Sequence, residues 1–135
     1  MAAGLAMFRE VLTRQAYEHV NKLSARLLDG YRKTVAKTGL QAYVAGAGAN
    51  GALMLYAKPI HNYRDWITVD QDLWRQYWFG MVNRGVLAQP YWWDEQWTIS
   101  VVHTDADIER HIAAFEDVAP GLARAQQQQH ATATH

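Results

Sequence analysis

Between Tyr17 and Val35 the apolar side chains return at steps of three and four residues: Tyr17, Val20, Leu23, Leu27, Tyr31 and Val35, with Leu28 widening the stripe. That spacing gathers them on one face of an α-helix and obliges the rest of the chain to build a layer that covers it. Arg32, Lys33 and Lys37 crowd the C-terminal end, where cations suit the helix dipole. Gly39 is a natural stop, because glycine takes a left-handed cap without a Cβ clash. The pattern predicts a helix over 15–37.

The remaining segments read as short elements. Residues 1–12, with Leu5, Met7, Phe8, Val11 and Leu12, predict a short, mostly buried helix. It opens at Met1 without a capping side chain, which is unusual at a domain boundary. Residues 40–45 and 52–57 predict two strands joined by glycine-rich sequence, and residues 58–68 a loop. Thr68-Val-Asp-Gln71 reads as a capping box for a helix running to Arg84, with Leu73, Trp74, Tyr77, Trp78, Met81 and Val82 on its apolar face. Residues 86–88 and 97–102 predict strands around Pro90. Thr104 and Asp107 signal a last helix with Ile108, Ile112, Phe115 and Ala119 inside, weakened at Pro120-Gly121. Residues 120–135, with their glutamine run, predict a disordered tail. The expected fold is α+β, helices packed on one face of a small, mainly antiparallel sheet.

Composition narrows the function classes. Thirteen basic and 13 acidic groups leave a net charge of zero, which argues against a nucleic-acid partner. The chain has no cysteine, hence no disulfide, thiolate metal site or Cys nucleophile. No basic segment precedes the first apolar run, so no secretory signal is read and a cytoplasmic location is the default. The uncharged run between Lys37 and Lys58 has membrane-spanning length, but Gln41, Asn50 and four glycines interrupt it, so no membrane partner is expected.

Two motifs invite chemistry and fall short of it. Gly46-Ala-Gly48-Ala-Asn-Gly51 matches the dinucleotide pattern G-x-G-x-x-G, yet a strand-like segment follows where a helix N-terminus would have to hold the pyrophosphate. Asn50-Gly51 is instead a good hairpin pair. The six histidines form no close ligand pair, and His103 and His111 read as solvated or hydrogen-bonded rather than metal ligands.

Eleven of the 16 aromatics fall between Tyr56 and Trp97. Tyr91-Trp-Trp-Asp-Glu-Gln-Trp97 admits two readings, core and interface packing, or an aromatic wall with an acid facing a ligand. Trp92 and Trp93 cannot both face inward from one strand. Asp94 and Glu95 point to opposite sides if extended, so they are no ready acid/base pair.

Several segments in order resemble one family. Arg84-Gly-Val, Pro90, Ser100-Val-Val-His-Thr104 and Asp107-Ile-Glu-Arg are similar to the C-terminal end of class III aminotransferases, nearest the glutamate-1-semialdehyde 2,1-aminomutase branch. The start of the chain resembles the helix after that family's S-G-N-P segment, and residues 16–30 its next helix. The resemblance covers residues 1–119 collinearly. It implies a fold-type I pyridoxal phosphate enzyme, normally a homodimer and several times longer. On this reading residues 1–14 are a remnant of the inter-domain helix, and 15–119 the C-terminal small domain. The implied partners are the missing large domain, a second subunit and a small amine or amino-acid substrate.

The family's Schiff-base lysine lies upstream of S-G-N-P, and Lys22, Lys33, Lys37 and Lys58 match no catalytic lysine position. The resemblance therefore implies no catalytic residue, no cofactor-binding residue and no metal in this chain. Pyridoxal 5'-phosphate belongs to the full-length parent, and this chain alone is expected to be inactive. The branch places a glutamate a few residues after the proline, on the substrate side. Counting from Ser100 it falls on Glu95, and from Pro90 on Asp94, so this loop is one residue longer. Trp92 and Trp93 replace small residues there and are expected to shape the pocket. Two rivals stand beside this reading, a free-standing α+β interaction module, and a ligand-binding domain with Trp92, Trp93 and Trp97 as its platform.

Overall fold

The computed structural model describes residues 2–90 and 95–133. A short helix α1 (Ala2–Ala6) continues into a π-helical turn (Met7–Val11). Then come α2 (Arg14–Thr38), β1 (Tyr43–Ala47), β2 (Asn50–Met54), a single-turn α3 (Tyr63–Trp66), α4 (Gln71–Val82), β3 (Trp97–Thr98) and α5 (Asp105–Ala133). The sheet order is β1-β2-β3, antiparallel throughout. The α+β architecture expected from the sequence is the one observed, with helices packed against a small antiparallel sheet.

Helix α2 follows its periodicity. Thr13 caps it by accepting the Ala16 N–H, and Gly39, at φ 70°, closes it by donating to the Val35 carbonyl. Val20, Leu23, Leu27, Leu28 and Tyr31 are buried as the stripe requires, whereas Tyr17 at its start is 55% exposed. The stripe packs chiefly on α5, which also packs on α4. Leu73, Trp74, Tyr77 and Met81 of α4 and Ile108, Phe115 and Ala119 of α5 complete the core with Leu53 of β2.

The β1–β2 hairpin is present, but its turn is not Asn50-Gly51. Ala47 pairs with Asn50, so Gly48-Ala49 makes the two-residue connection. Gly48 alone has positive φ, 57°, at the first central position that such mirror-image turns require. Strand, not helix, follows the glycines, as expected of a hairpin rather than a nucleotide loop.

Other expectations are corrected. Of the expected buried helix over 1–12, none of the described residues 2–12 is buried, and Leu5 and Phe8 are 52% and 73% exposed. Residues 86–88 form no strand, and the strand at 97–102 shrinks to Trp97–Thr98, because β2 offers it only Asn50 and Gly51 as partners. Residues 63–66 make a turn of helix inside the expected loop, capped by Asn62. The cap of α4 is Asp70, which accepts from Leu73 N–H, and not Thr68. The Thr104–Asp107 box does form, with Asp107 reaching back to the Thr104 N–H at 2.8 Å.

The largest difference is at the C-terminus, where helix runs on to Ala133 through Pro120 instead of giving way to a disordered tail. An interior proline costs roughly 3 kcal/mol. Val118, Ala119, Leu122 and Ala123, straddling it, are buried. Fully burying a Val or Leu gains about 1.5–3 kcal/mol, so the helix continues. Gln126 then clamps the backbone of Gln41, its Oε1 accepting from Gln41 N–H and its Nε2 donating to Gln41 O.

Candidate functional site

The chain between α4 and α5 carries the segment singled out in the sequence. Met81 and Val82 carbonyls accept from Val86 and Gly85 N–H, which turns the chain sharply off α4. The main-chain carbonyl of Gln89 accepts the Trp78 indole N–H at 2.9 Å. The Gln89 side chain, 1% exposed, donates from Nε2 to the Glu95 carbonyl. Beyond it, β3 pairs Trp97 with Gly51 and Thr98 with Asn50. Glu95 itself is exposed. Trp92, Trp93 and Asp94 lie outside the described residues.

A cavity of about 490 Å³ opens beside this stretch. Leu87, Gln89, Gln96, Trp97, His103 and His111 are among its walls. Trp97 is 4% exposed, with its ring centroid 5.0 Å from that of Tyr31 and 5.9 Å from that of His111. It is a core residue, and the platform reading loses it. A Cβ on Gly51 would sit 2.5 Å from the Trp97 indole, so the glycine is there to admit the ring.

Behind the cavity runs a buried hydrogen-bond chain. Tyr77 and Tyr31 hydroxyls are 2.9 Å apart, and Tyr31 Oη is 2.9 Å from His111 Nε2. Burial pushes both tyrosines well above their ordinary value and pulls His111 down to about 4, with a smaller push from His103. His111 is therefore neutral at physiological pH, and it can accept from Tyr31 through Nε2 while its other nitrogen keeps the proton. His103 accepts the Ser100 N–H at Nδ1, which fixes its proton on Nε2 when neutral. The Thr104 hydroxyl, and after it the Thr104 N–H, hold Asp107 below the usual carboxylate range. The sequence pattern shows His103 and His111 but not this hydrogen-bond chain. Tyr31 and Tyr77 look like ordinary stripe residues, and only the fold brings them to His111.

The lysines sit elsewhere. All four are exposed, and none borders the cavity. Lys33 pairs with Asp29, and Lys22 reaches Asp105 at 4.0 Å. No helix among the described residues is long and apolar enough to cross a membrane.

No protein-family model matches the chain. It is 36% identical over 118 residues, 87% of its length, to a glutamate-1-semialdehyde 2,1-aminomutase of Desulfatibacillum aliphaticivorans, and 32% identical over 124 residues to one of Bacillus subtilis (strain 168). A solved glutamate-1-semialdehyde aminomutase from Pseudomonas aeruginosa PAO1 matches 90% of the chain at 26% identity and a TM-score of 0.80. The chain fits a C-terminal portion of a class III aminotransferase. An omega-transaminase from Sphaerobacter thermophilus shares the fold at a TM-score of 0.72 and 19% identity. The chain spans about a quarter of the relatives it matches, 28% of the D. aliphaticivorans protein and 26% of the P. aeruginosa chain. The family is pyridoxal phosphate-dependent.

Proposed function

We propose that the chain is the small-domain portion of a class III aminotransferase or aminomutase-like enzyme, and that it shapes and closes the substrate pocket of a homodimeric, cytoplasmic parent. The observation that carries this is the match over nearly the whole chain to one quarter of enzymes several times its length. In this reading Glu95 or Asp94 faces a small amine or amino-acid substrate, and Trp92 and Trp93 narrow the pocket. Glu95 is exposed, and its chain neighbour Gln96 lines the open cavity, which supports the reading.

Pyridoxal phosphate supplies the electron sink in such enzymes, held by a lysine, phosphate donors and an acid at the pyridine nitrogen. The residues present do not fit it. A Schiff-base lysine needs a site that depresses its pKa by desolvation or neighbouring charge. The four lysines here are exposed on α2 or beside Pro59. No step through the cofactor is assigned to this chain. It contributes substrate contacts and exclusion of water, and the large domain contributes the cofactor.

The experiment is complementation. The chain is co-expressed with the D. aliphaticivorans aminomutase lacking its matching C-terminal quarter. A co-purifying assembly that converts glutamate-1-semialdehyde supports the reading. Two soluble proteins that never associate overturn it.

A further inference from the structure

Gln89 is a fully buried primary amide on a loop that is otherwise largely open to solvent. Two bonds fix it. Its own carbonyl takes the Trp78 indole proton, which fastens it to α4, and its Nε2 donates to the Glu95 carbonyl six residues on. No described residue donates to its Oε1, which is buried. Burying an amide with an unpaired acceptor is unfavourable, and an apolar side chain would fill the same volume without that penalty. What the amide can do, and an apolar side chain cannot, is hold one backbone carbonyl in place.

That carbonyl belongs to Glu95. Two residues on, the Gly51–Trp97 pairing supplies a second anchor. Between the anchors the peptide plane after Glu95 is fixed, which narrows where its Cα, and with it the exposed side chain, can sit. We propose that Gln89 is the positioning residue for Glu95, acting through the main chain rather than by touching substrate. This rests on the reading of Glu95 as a substrate-facing acid. The plainer alternative is that Gln89 only satisfies a stranded carbonyl, in which case losing it costs stability and nothing else.

The test has two arms. In the chain itself, amide hydrogen exchange is followed at Trp97 and Ile99, in the pairing with β2 that the Gln89–Glu95 bond anchors, in wild type, Gln89→Leu and Gln89→Glu. Gln89→Leu is expected to speed exchange there roughly tenfold, the size of one lost hydrogen bond, with the amides of α2 unchanged. Gln89→Glu should match it at pH 8 and return to the wild-type rate at pH 5, where a protonated carboxyl can again donate to Glu95. In the complemented assembly, Gln89→Leu and Glu95→Gln should each raise KM for glutamate-1-semialdehyde about tenfold with kcat nearly unchanged, and the double variant no further. Unchanged exchange in Gln89→Leu overturns the clasp. Faster exchange with an unchanged KM, while Glu95→Gln does raise KM, overturns the positioning role. An unchanged KM in Glu95→Gln overturns the reading of Glu95 on which the proposal rests.

Discussion

The Tyr31 hydroxyl stands 2.9 Å from His111 Nε2 across the α2–α5 contact, and the Tyr77 hydroxyl of α4 stands 2.9 Å behind it. One direction of donation uses every hydrogen, with Tyr77 donating to Tyr31 and Tyr31 to a neutral His111. The reverse leaves the Tyr77 O–H with no further acceptor among the described residues. Three helices are thereby joined through one imidazole that has to stay uncharged.

Acid should therefore unfold the domain through His111. Its folded pKa, about 4, lies below the ordinary 6.5, so between those values the unfolded chain binds more protons. Stability is full above pH 6.5, falls as pH drops through that window, and by pH 4 this group has removed about 3 kcal/mol. Thermal unfolding from pH 7.5 to 4.5 checks this, and His111→Gln should flatten the slope. An equal slope in the variant would assign the acid sensitivity to other groups.

Removing single hydroxyls should grade the chain. Tyr31→Phe keeps the stack on Phe115, whose centroid is 3.9 Å away at 6°. It leaves both His111 Nε2 and the Tyr77 hydroxyl unpaired, and should cost about 2–3 kcal/mol. Tyr77→Phe strands no buried donor and should cost about 1 kcal/mol. Urea unfolding of the two variants decides the order.

Glycines 48 and 51 should fail for different reasons. Gly51→Ala drives a methyl into the Trp97 ring, 2.5 Å from its nearest atoms, and should cost about 1–3 kcal/mol with a shift in tryptophan fluorescence. Gly48→Ala meets no atom within 4 Å, but its φ of 57° strains a side chain by about 1 kcal/mol. Its fluorescence should match wild type.

Legibility followed the range of the interaction. Helix α2, the hairpin and the Thr104–Asp107 box rest on neighbours a few residues apart, and each was visible in the spelling. Thr68 loses the cap to Asp70 because both lie within three residues of the helix start, and only the geometry chooses between them. Pro120 reads as a stop, since nothing local shows Leu122 and Ala123 buried or Gln126 clamped on Gln41. The same holds for the candidate site. The family pattern points to Glu95 or Asp94, whereas Gln89 and the Tyr31–His111 bond depend on contacts that no short motif encodes.

The exposed start of the chain should make it sticky. Leu5, Met7, Phe8 and Val11 are each more than 40% exposed, beside an apolar cavity of about 350 Å³ that Val11 helps to line. Contiguous apolar surface of this kind drives association. Sedimentation velocity should show concentration-dependent self-association that Phe8→Glu reduces. Monomer at every concentration would mean that the segment folds down on the domain in solution.

The central claim is that this chain shapes a substrate pocket but is not the seat of the cofactor. The direct measurement is to incubate the purified chain with pyridoxal phosphate, reduce with borohydride, and map labelled lysines by mass spectrometry, with an amine and a keto acid present to detect turnover. The account predicts scattered, substoichiometric labelling of Lys22, Lys33, Lys37 and Lys58 and no turnover. One lysine labelled stoichiometrically, together with transamination, would contradict it.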